Sequence, residues 1–148
     1  MDVFQSRRTF LGSLSGSGSH LWLVLTDPDD VGHVIAVMAV SSKSHTDKTL
    51  SLVVGDHPWI RRETNIDYGA ARSFPVAKLL AANERGQLTL EADMSPDLLE
   101  RVQQGLLASS RTIHAVKDEF RARMNLAVTP TPPTPPNGPP SVAPSRRP

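Results

Sequence analysis

The sequence predicts an α+β fold: a small, mainly antiparallel sheet or barrel with amphipathic helices packed on it. Three observations lead there. Apolar runs of strand length come early, over Leu21–Leu25, Val34–Val40 and Leu50–Val54. Each is followed by turn-forming residues. Helical patterns come late, after Ser95, so strands and helices do not alternate as they do in parallel β-α-β folds. The length of 148 residues suits one such domain.

The elements follow in chain order. Residues 1–18 are predicted to be a flexible arm, because Gly12–Ser19 is rich in glycine and serine. Within the arm, "SRRTFL" has the twin-arginine pattern of an export signal. The "GSLSGSGSH" that follows is too polar for the apolar segment such a signal needs, so a basic arm is the preferred reading. The barrel domain with its C-terminal helices is placed at 19–126. "HLWLVLT" reads as the first strand, and "TDPDDVG" as a turn broken by Asp27, Pro28, Asp30 and Gly32. "HVIAVMAVS" is apolar on both faces, so it reads as a central strand. After the polar loop "SKSHTDK", "TLSLVVG" reads as a third strand with Leu50, Leu52 and Val54 on one face. "GDHPWIRRE" turns. "FPVAKLLAAN" suits a strand or a short helix, and "ERGQ" a hairpin turn.

Helix signals then sharpen. Ser95 is an N-cap, Pro96 fits the first helical position, and Asp97 favours the positive helix end. Leu98, Val102 and Leu106 repeat on one face. A second helix is marked by Ile113, Val116, Phe120 and Met124. Nine of the 13 prolines fall in the last 20 residues, so 127–148 is predicted to be a disordered, extended Pro-rich tail.

Composition excludes several classes. Charges nearly cancel, 16 Lys plus Arg against 15 Asp plus Glu, which argues against non-specific wrapping of DNA. There is no cysteine, hence no disulfide, thiolate nucleophile or cysteine-ligated zinc; this fits a cytoplasmic location. No apolar run approaches the ~20 residues of a membrane span, so no membrane partner is expected. A P-loop, a His-Glu-x-x-His motif, a Gly-x-Ser-x-Gly elbow and an EF-hand loop are all missing. The five histidines are scattered, and neither a metal nor another cofactor is expected.

Three polar sets stand at strand ends: Gly18–His20, Ser41–His45 and Asp56–Tyr68. Gathered at one rim, they would suit cleavage of RNA through its own 2′-hydroxyl. That reaction needs a base, an acid, and donors or cations for the charged phosphorus centre. Histidine serves as acid or base near neutrality, and arginine matches phosphate with a planar fork. His57 and His20 are the candidate acid and base. Ser42 and Arg62 are the candidate catalytic donors to phosphate. Ser41, Lys43 and Arg61 are expected to contact substrate, with Trp59 and Tyr68 as stacking platforms for unpaired bases. Each has a plainer reading: a turn histidine, a core tryptophan, a hydrogen-bonded tyrosine, solvated arginines and ordinary strand-end serines.

"SHLWLVLTDPDDVGHVIAVMAVSS", followed by "GDHPWI" and "IDY", resembles the MazF/PemK-like toxins, as a divergent branch, best over residues ~18–75. The resemblance implies an SH3-like β-barrel with attached helices, usually a homodimer. It implies a metal-independent endoribonuclease that cuts single-stranded RNA, and a cognate antitoxin that covers the active groove. Better-known members pair an arginine before the first of these strands with a Thr or Ser ending the second. Ser41 and Ser42 match the latter; "GSGSH" stands where the arginine is expected. A second function therefore stays open: a non-catalytic barrel that binds a protein or nucleic acid as an accessory module.

Overall fold

Seven consecutive apolar residues, Val34–Val40, suit a strand covered on both faces, and the structure is built around them. It is a computed structural model that describes residues 4–14 and 18–124. In chain order the elements are β1 (Thr9–Gly12), β2 (His20–Val24), β3 (His33–Ser41), β4 (Ser51–Leu52), β5 (Thr64–Pro75), α1 (Val76–Glu84), β6 (Leu88–Glu91), α2 (Pro96–Ala108) and α3 (His114–Arg123). The six strands form one sheet in the order β4-β5-β3-β2-β1-β6, and every pairing is antiparallel. The α+β class with a small antiparallel sheet is as the sequence predicts.

The β2–β3 turn is made by the residues that signalled it. Asp29 Oδ1 accepts from the backbone N–H of Val31 at 3.1 Å and of His33 at 2.9 Å, and Gly32 takes a φ of 77°. On one face of the sheet, Trp22, Val24, Val34, Ala36, Met38 and Phe74 pack with Phe4, Phe10 and, from α1, Leu79 and Ala82. The opposite face meets α2. Gln103 Nε2 donates to Leu25 O at 2.9 Å, and Tyr68 Oη donates to Val102 O at 2.9 Å. Ser95 caps α2 as predicted, accepting from Leu98 N–H at 3.0 Å.

Three expectations are corrected. Residues 9–12 are not part of a loose arm: they form β1, between β2 and β6. Phe4 and Phe10 are fully buried and meet edge-to-face with centroids 5.4 Å apart. Both arginines of the export-like motif belong to the fold, Arg7 through Nε to Met94 O at 2.7 Å and Arg8 to Asp93 at 3.4 Å. The predicted third strand ends early. Asp56 Oδ2 accepts from Val53 N–H at 2.8 Å and Gly55 turns with a φ of 107°, so β4 stops at Leu52 and Val53 and Val54 are exposed. The longest strand, β5, begins directly after the predicted turn and takes up residues 64–73, for which the sequence pattern named no element. Finally, of the two readings of "FPVAKLLAAN" the short helix holds from Val76, after Pro75 ends β5, and Gly86 turns that helix into a strand rather than making a hairpin.

Strand β5 carries an irregularity that shapes both faces. Its pairing with β3 runs Ala36↔Arg72 and then Met38↔Asp67, so Tyr68–Ala71 stand opposite Val37 alone. The extra residues change which side chains face α2. Tyr68 points there, whereas Phe74 joins the other face.

The chain divides into two units, residues 1–117 and 118–148. Of the second, Asp118–Met124 is described: Phe120 is buried, Arg121 pairs with Asp118 at 3.5 Å, and Arg123 pairs with Glu119. Of the predicted stripe on α3, Val116 and Phe120 are buried while Ile113 and Met124 are exposed. The predicted tail, 127–148, lies outside the described residues. Among the described residues no helix is long and apolar enough to cross a membrane.

Candidate functional site

Antiparallel pairing sets one rim of the sheet. Ser41, the last residue of β3, is opposite Thr64, the first of β5, while Leu21 near the start of β2 is opposite Ala39. The β4–β5 loop arrives at this rim, and its course is fixed at three points. The Asp56 turn is held by Arg101 of α2, whose Nη2 lies 2.8 Å from Asp56 Oδ1. His57 is buried, and Ile60 plugs the interior at 3 % exposure, its N–H donating to His57 O at 2.9 Å. Beyond Ile60 the loop emerges with Arg61, Arg62 and Glu63 exposed.

An open cleft of about 340 Å³ lies there, lined by Ser41, Trp59, Arg61, Arg62 and Thr64. Four of the nine predicted site residues are thus brought together: Ser41, Trp59, Arg61 and Arg62. Thr64 was missed. Its hydroxyl donates to Arg62 O at 3.0 Å, which ties the arginine segment to the start of β5. Ser42 N–H donates to Glu63 O at 3.2 Å and closes the same corner from β3.

Lys48 was also missed. Its ammonium donates to Ser42 Oγ at 3.1 Å, to Thr46 Oγ1 at 3.0 Å, to Asn65 Oδ1 at 3.3 Å, and to Lys43 O. It staples the β3–β4 loop to β5 beside the cleft. Ser42 therefore accepts from Lys48 and does not line the cleft, and Lys43 lies exposed outside the lining. His20 starts β2 at the same end of the sheet, one strand beyond Ser41, and is also outside the lining.

Two predicted roles fail on burial. His57 is only 3 % exposed and both ring nitrogens are engaged. Nδ1 accepts from Trp59 N–H at 3.0 Å, which leaves the proton on Nε2, 2.7 Å from Ala92 O and 3.2 Å from Thr9 Oγ1. The imidazole has no lone pair to offer a substrate. It joins the loop after β4, one end of the sheet, to β1 and to the residue after β6, the other end. Tyr68 is 0 % exposed and cannot stack on a base; its hydroxyl is spent on α2. Burial, together with the charge of Asp47, pushes its ionisation up.

Two carboxylates nearby are held in the charged form. Burial alone would raise Asp47, but hydrogen bonds from Ser109 and Thr49 and the charge of Arg111 outweigh it and lower the pKa. Ser109 Oγ donates to Asp47 at 2.6 Å. Asp56 is lowered in the same way: burial is outweighed by the Val53 N–H and by Arg101. These acids organise loops and are not among the residues that line the cleft. Among the described residues no group of three or more histidine or acidic side chains is placed to hold a metal ion. The cleft itself offers two guanidinium groups, one indole and two hydroxyls: donors for a phosphodiester and a face for a base.

No protein-family profile matches the chain, and no curated protein matches it. Among solved structures, it is similar to an endoribonuclease in complex with its cognate antitoxin from a mycobacterial species. That match has a TM-score of 0.46 and 14 % identity, covering 73 % of this chain and 93 % of the other. It is similar to two crystal forms of a MazE–MazF complex from Deinococcus radiodurans. These have a TM-score of 0.46, with 17 % and 16 % identity, 70 % of this chain covered in both, and 91 % and 92 % of the others.

Proposed function

We propose that the cleft at Ser41, Trp59, Arg61, Arg62 and Thr64 binds the backbone of single-stranded RNA, and that the chain is a MazF-like endoribonuclease toxin. The observation that carries the reading is the meeting of two adjacent arginines with a strand-end serine and a half-buried tryptophan in one open cleft. Two guanidinium groups meet the charge on a phosphodiester, and the Trp59 indole offers a stacking face to an unpaired base. The arginine that better-known members place before the first strand is replaced, in this reading, by Arg61 or Arg62 arriving from the opposite side of Ser41. Charge on phosphorus is then met by side chains, so chelation of divalent metal leaves cleavage intact. The partner is a cognate antitoxin with an acidic segment complementary to the cleft.

Cleavage is tested by incubating purified chain with a mixed single-stranded transcript, with and without chelator. The expected outcome is discrete cutting in both, lost in Arg61→Gln/Arg62→Gln. Single-strand affinity should fall about tenfold for each arginine, with the salt slope reduced by roughly 0.7 per charge removed. Equal affinity and slope in the double variant would remove the cleft from RNA binding.

One observation favours a second reading. Among the described residues no imidazole or carboxylate, the usual proton carriers near neutrality, lines the cleft. A barrel that binds RNA without cutting it fits that lining. Tight, salt-sensitive binding with an intact transcript after long incubation decides for this reading.

A further inference from the structure

The irregularity in β5 opens a second cavity, away from the rim. It is about 350 Å³ and is lined by Leu14, Trp22, Ala70, Arg72 and Phe74. Its walls are apolar and aromatic. Trp22 and Phe74 meet edge-to-face, with centroids 5.4 Å apart. Two of the lining residues carry polar groups, and both groups are donors. Trp22 is 1 % exposed, and its Nε1–H is buried with no hydrogen-bond partner. Burying an indole N–H without an acceptor is costly, and such groups are rare in folded chains. Arg72 is held in place by the backbone that the irregularity frees: Nη1 donates to Gly69 O at 2.9 Å and to Ala71 O at 2.7 Å. Those bonds use both hydrogens of Nη1. The Nε and Nη2 donors, the edge that pairs with a carboxylate in a fork, make no bond among the described residues.

We propose that this cavity is a binding site for a small aromatic or aliphatic monocarboxylate. The lining has donors and no side-chain acceptor, so the ligand's polar end must accept. Arg72 is a fixed cation, so that end is an anion. The remaining walls are Leu14, Trp22, Ala70 and Phe74, so the rest of the ligand is apolar. The volume lies at the lower end of small-molecule sites, which limits the ligand to a single ring or short chain. A carboxylate on Arg72 sits in the same lining as the Trp22 ring, and the unpartnered indole N–H of that ring is the acceptor-seeking group the ligand would draw on. The site is independent of the RNA cleft, which shares no lining residue with it.

The indole N–H of Trp22 is itself the reporter. In a ¹⁵N-labelled Trp59→Phe chain, one indole resonance remains, since the sequence has two tryptophans. Titration with phenylacetate or indole-3-acetate should move that resonance downfield and saturate, and the neutral phenylacetamide should bind at least tenfold more weakly. Arg72→Gln should weaken the carboxylate about tenfold or more, as expected for losing one charge-assisted bond. Ala70→Leu, which fills the cavity and keeps the charge, should abolish binding. If Arg72→Gln does not fold, the carboxylate–amide comparison and Ala70→Leu still decide. An indole resonance unmoved by either carboxylate up to roughly 10 mM, or moved equally by the amide, overturns the assignment.

Discussion

Replacing His57 with alanine should lower stability, and should leave the shape of any pH–rate profile alone. The imidazole makes two strong bonds, accepting from Trp59 N–H at 3.0 Å and donating to Ala92 O at 2.7 Å. Removing it strands the Trp59 N–H. Ala92 O keeps one donor, Thr9 Oγ1 at 2.6 Å, so its loss is partial. A stranded buried group costs about 1–3 kcal/mol. Both partners are only partly covered, which argues for the low end of that range, and the void left by the ring adds to it. The sum is about 3 kcal/mol, a large share of the stability of a domain this size. At roughly 4 °C per kcal/mol, the melting midpoint should fall by roughly 12 °C. The assay is a thermal melt followed by circular dichroism, with RNA binding and cleavage measured well below the midpoint from pH 5 to pH 9. A proton carrier behaves in the opposite way: the chain would melt as the parent does, and one limb of the profile would vanish. That outcome would refute the clasp and restore His57 to the chemistry.

Gly105→Ala should destabilise by about 2 kcal/mol, because the new methyl would stand 1.9 Å from the Tyr68 hydroxyl; Tyr68→Phe in the same chain should recover part of that loss, and urea titration reads both. Acid should destabilise the chain through Asp47 and Asp56. Both fold with pKa values below their ordinary ones, so the stability they add is complete above the unfolded value and is lost as pH falls through the folded values. Asp47→Asn should lower stability at pH 7 and flatten its decline between about pH 5 and pH 2, as urea midpoints across that window would show. Lys48→Met should weaken RNA binding severalfold by freeing the loop beside Ser41, with the melting midpoint moved by no more than a few degrees; unchanged affinity would confine Lys48 to the loop itself.

Much of the architecture was readable where local chemistry and tertiary demand agree. The Ser95-Pro96-Asp97 start of α2 needs only its own backbone to be capped, and Asp29 with Gly32 makes its turn from within four residues. The central position of β3 follows from a run too apolar to face water. Strand β5 was hidden because its residues do not look like a strand. Asn65 and Tyr68 are buried, yet their polar groups are satisfied from elsewhere in the chain: Asn65 by Ser51 and Thr46, Tyr68 by α2. No window of the sequence carries that information. The same holds for β1, whose four residues sit beside a glycine- and serine-rich stretch and become a strand only because β2 and β6 flank them.

The site divides along the same line. Ser41, Trp59, Arg61 and Arg62 could be grouped because a strand end and an arginine pair are local features, and the antiparallel sheet brought them to one rim. His57 could not be judged. An imidazole before Pro58 has the same sequence signature whether it faces a substrate or closes a sheet, and the difference lies in Thr9 and Ala92, 48 and 35 residues away. This has a consequence for mechanism. With His57 used as a clasp, the two arginines are the charged groups of the cleft lining, so the proposed cleavage would rest on stabilising charge rather than on moving protons. A cleavage rate that climbs steadily with hydroxide, with no plateau near the histidine pKa, is the behaviour the proposed mechanism requires; a bell-shaped profile centred near neutrality would mean that an imidazole outside the lining reaches the substrate after all.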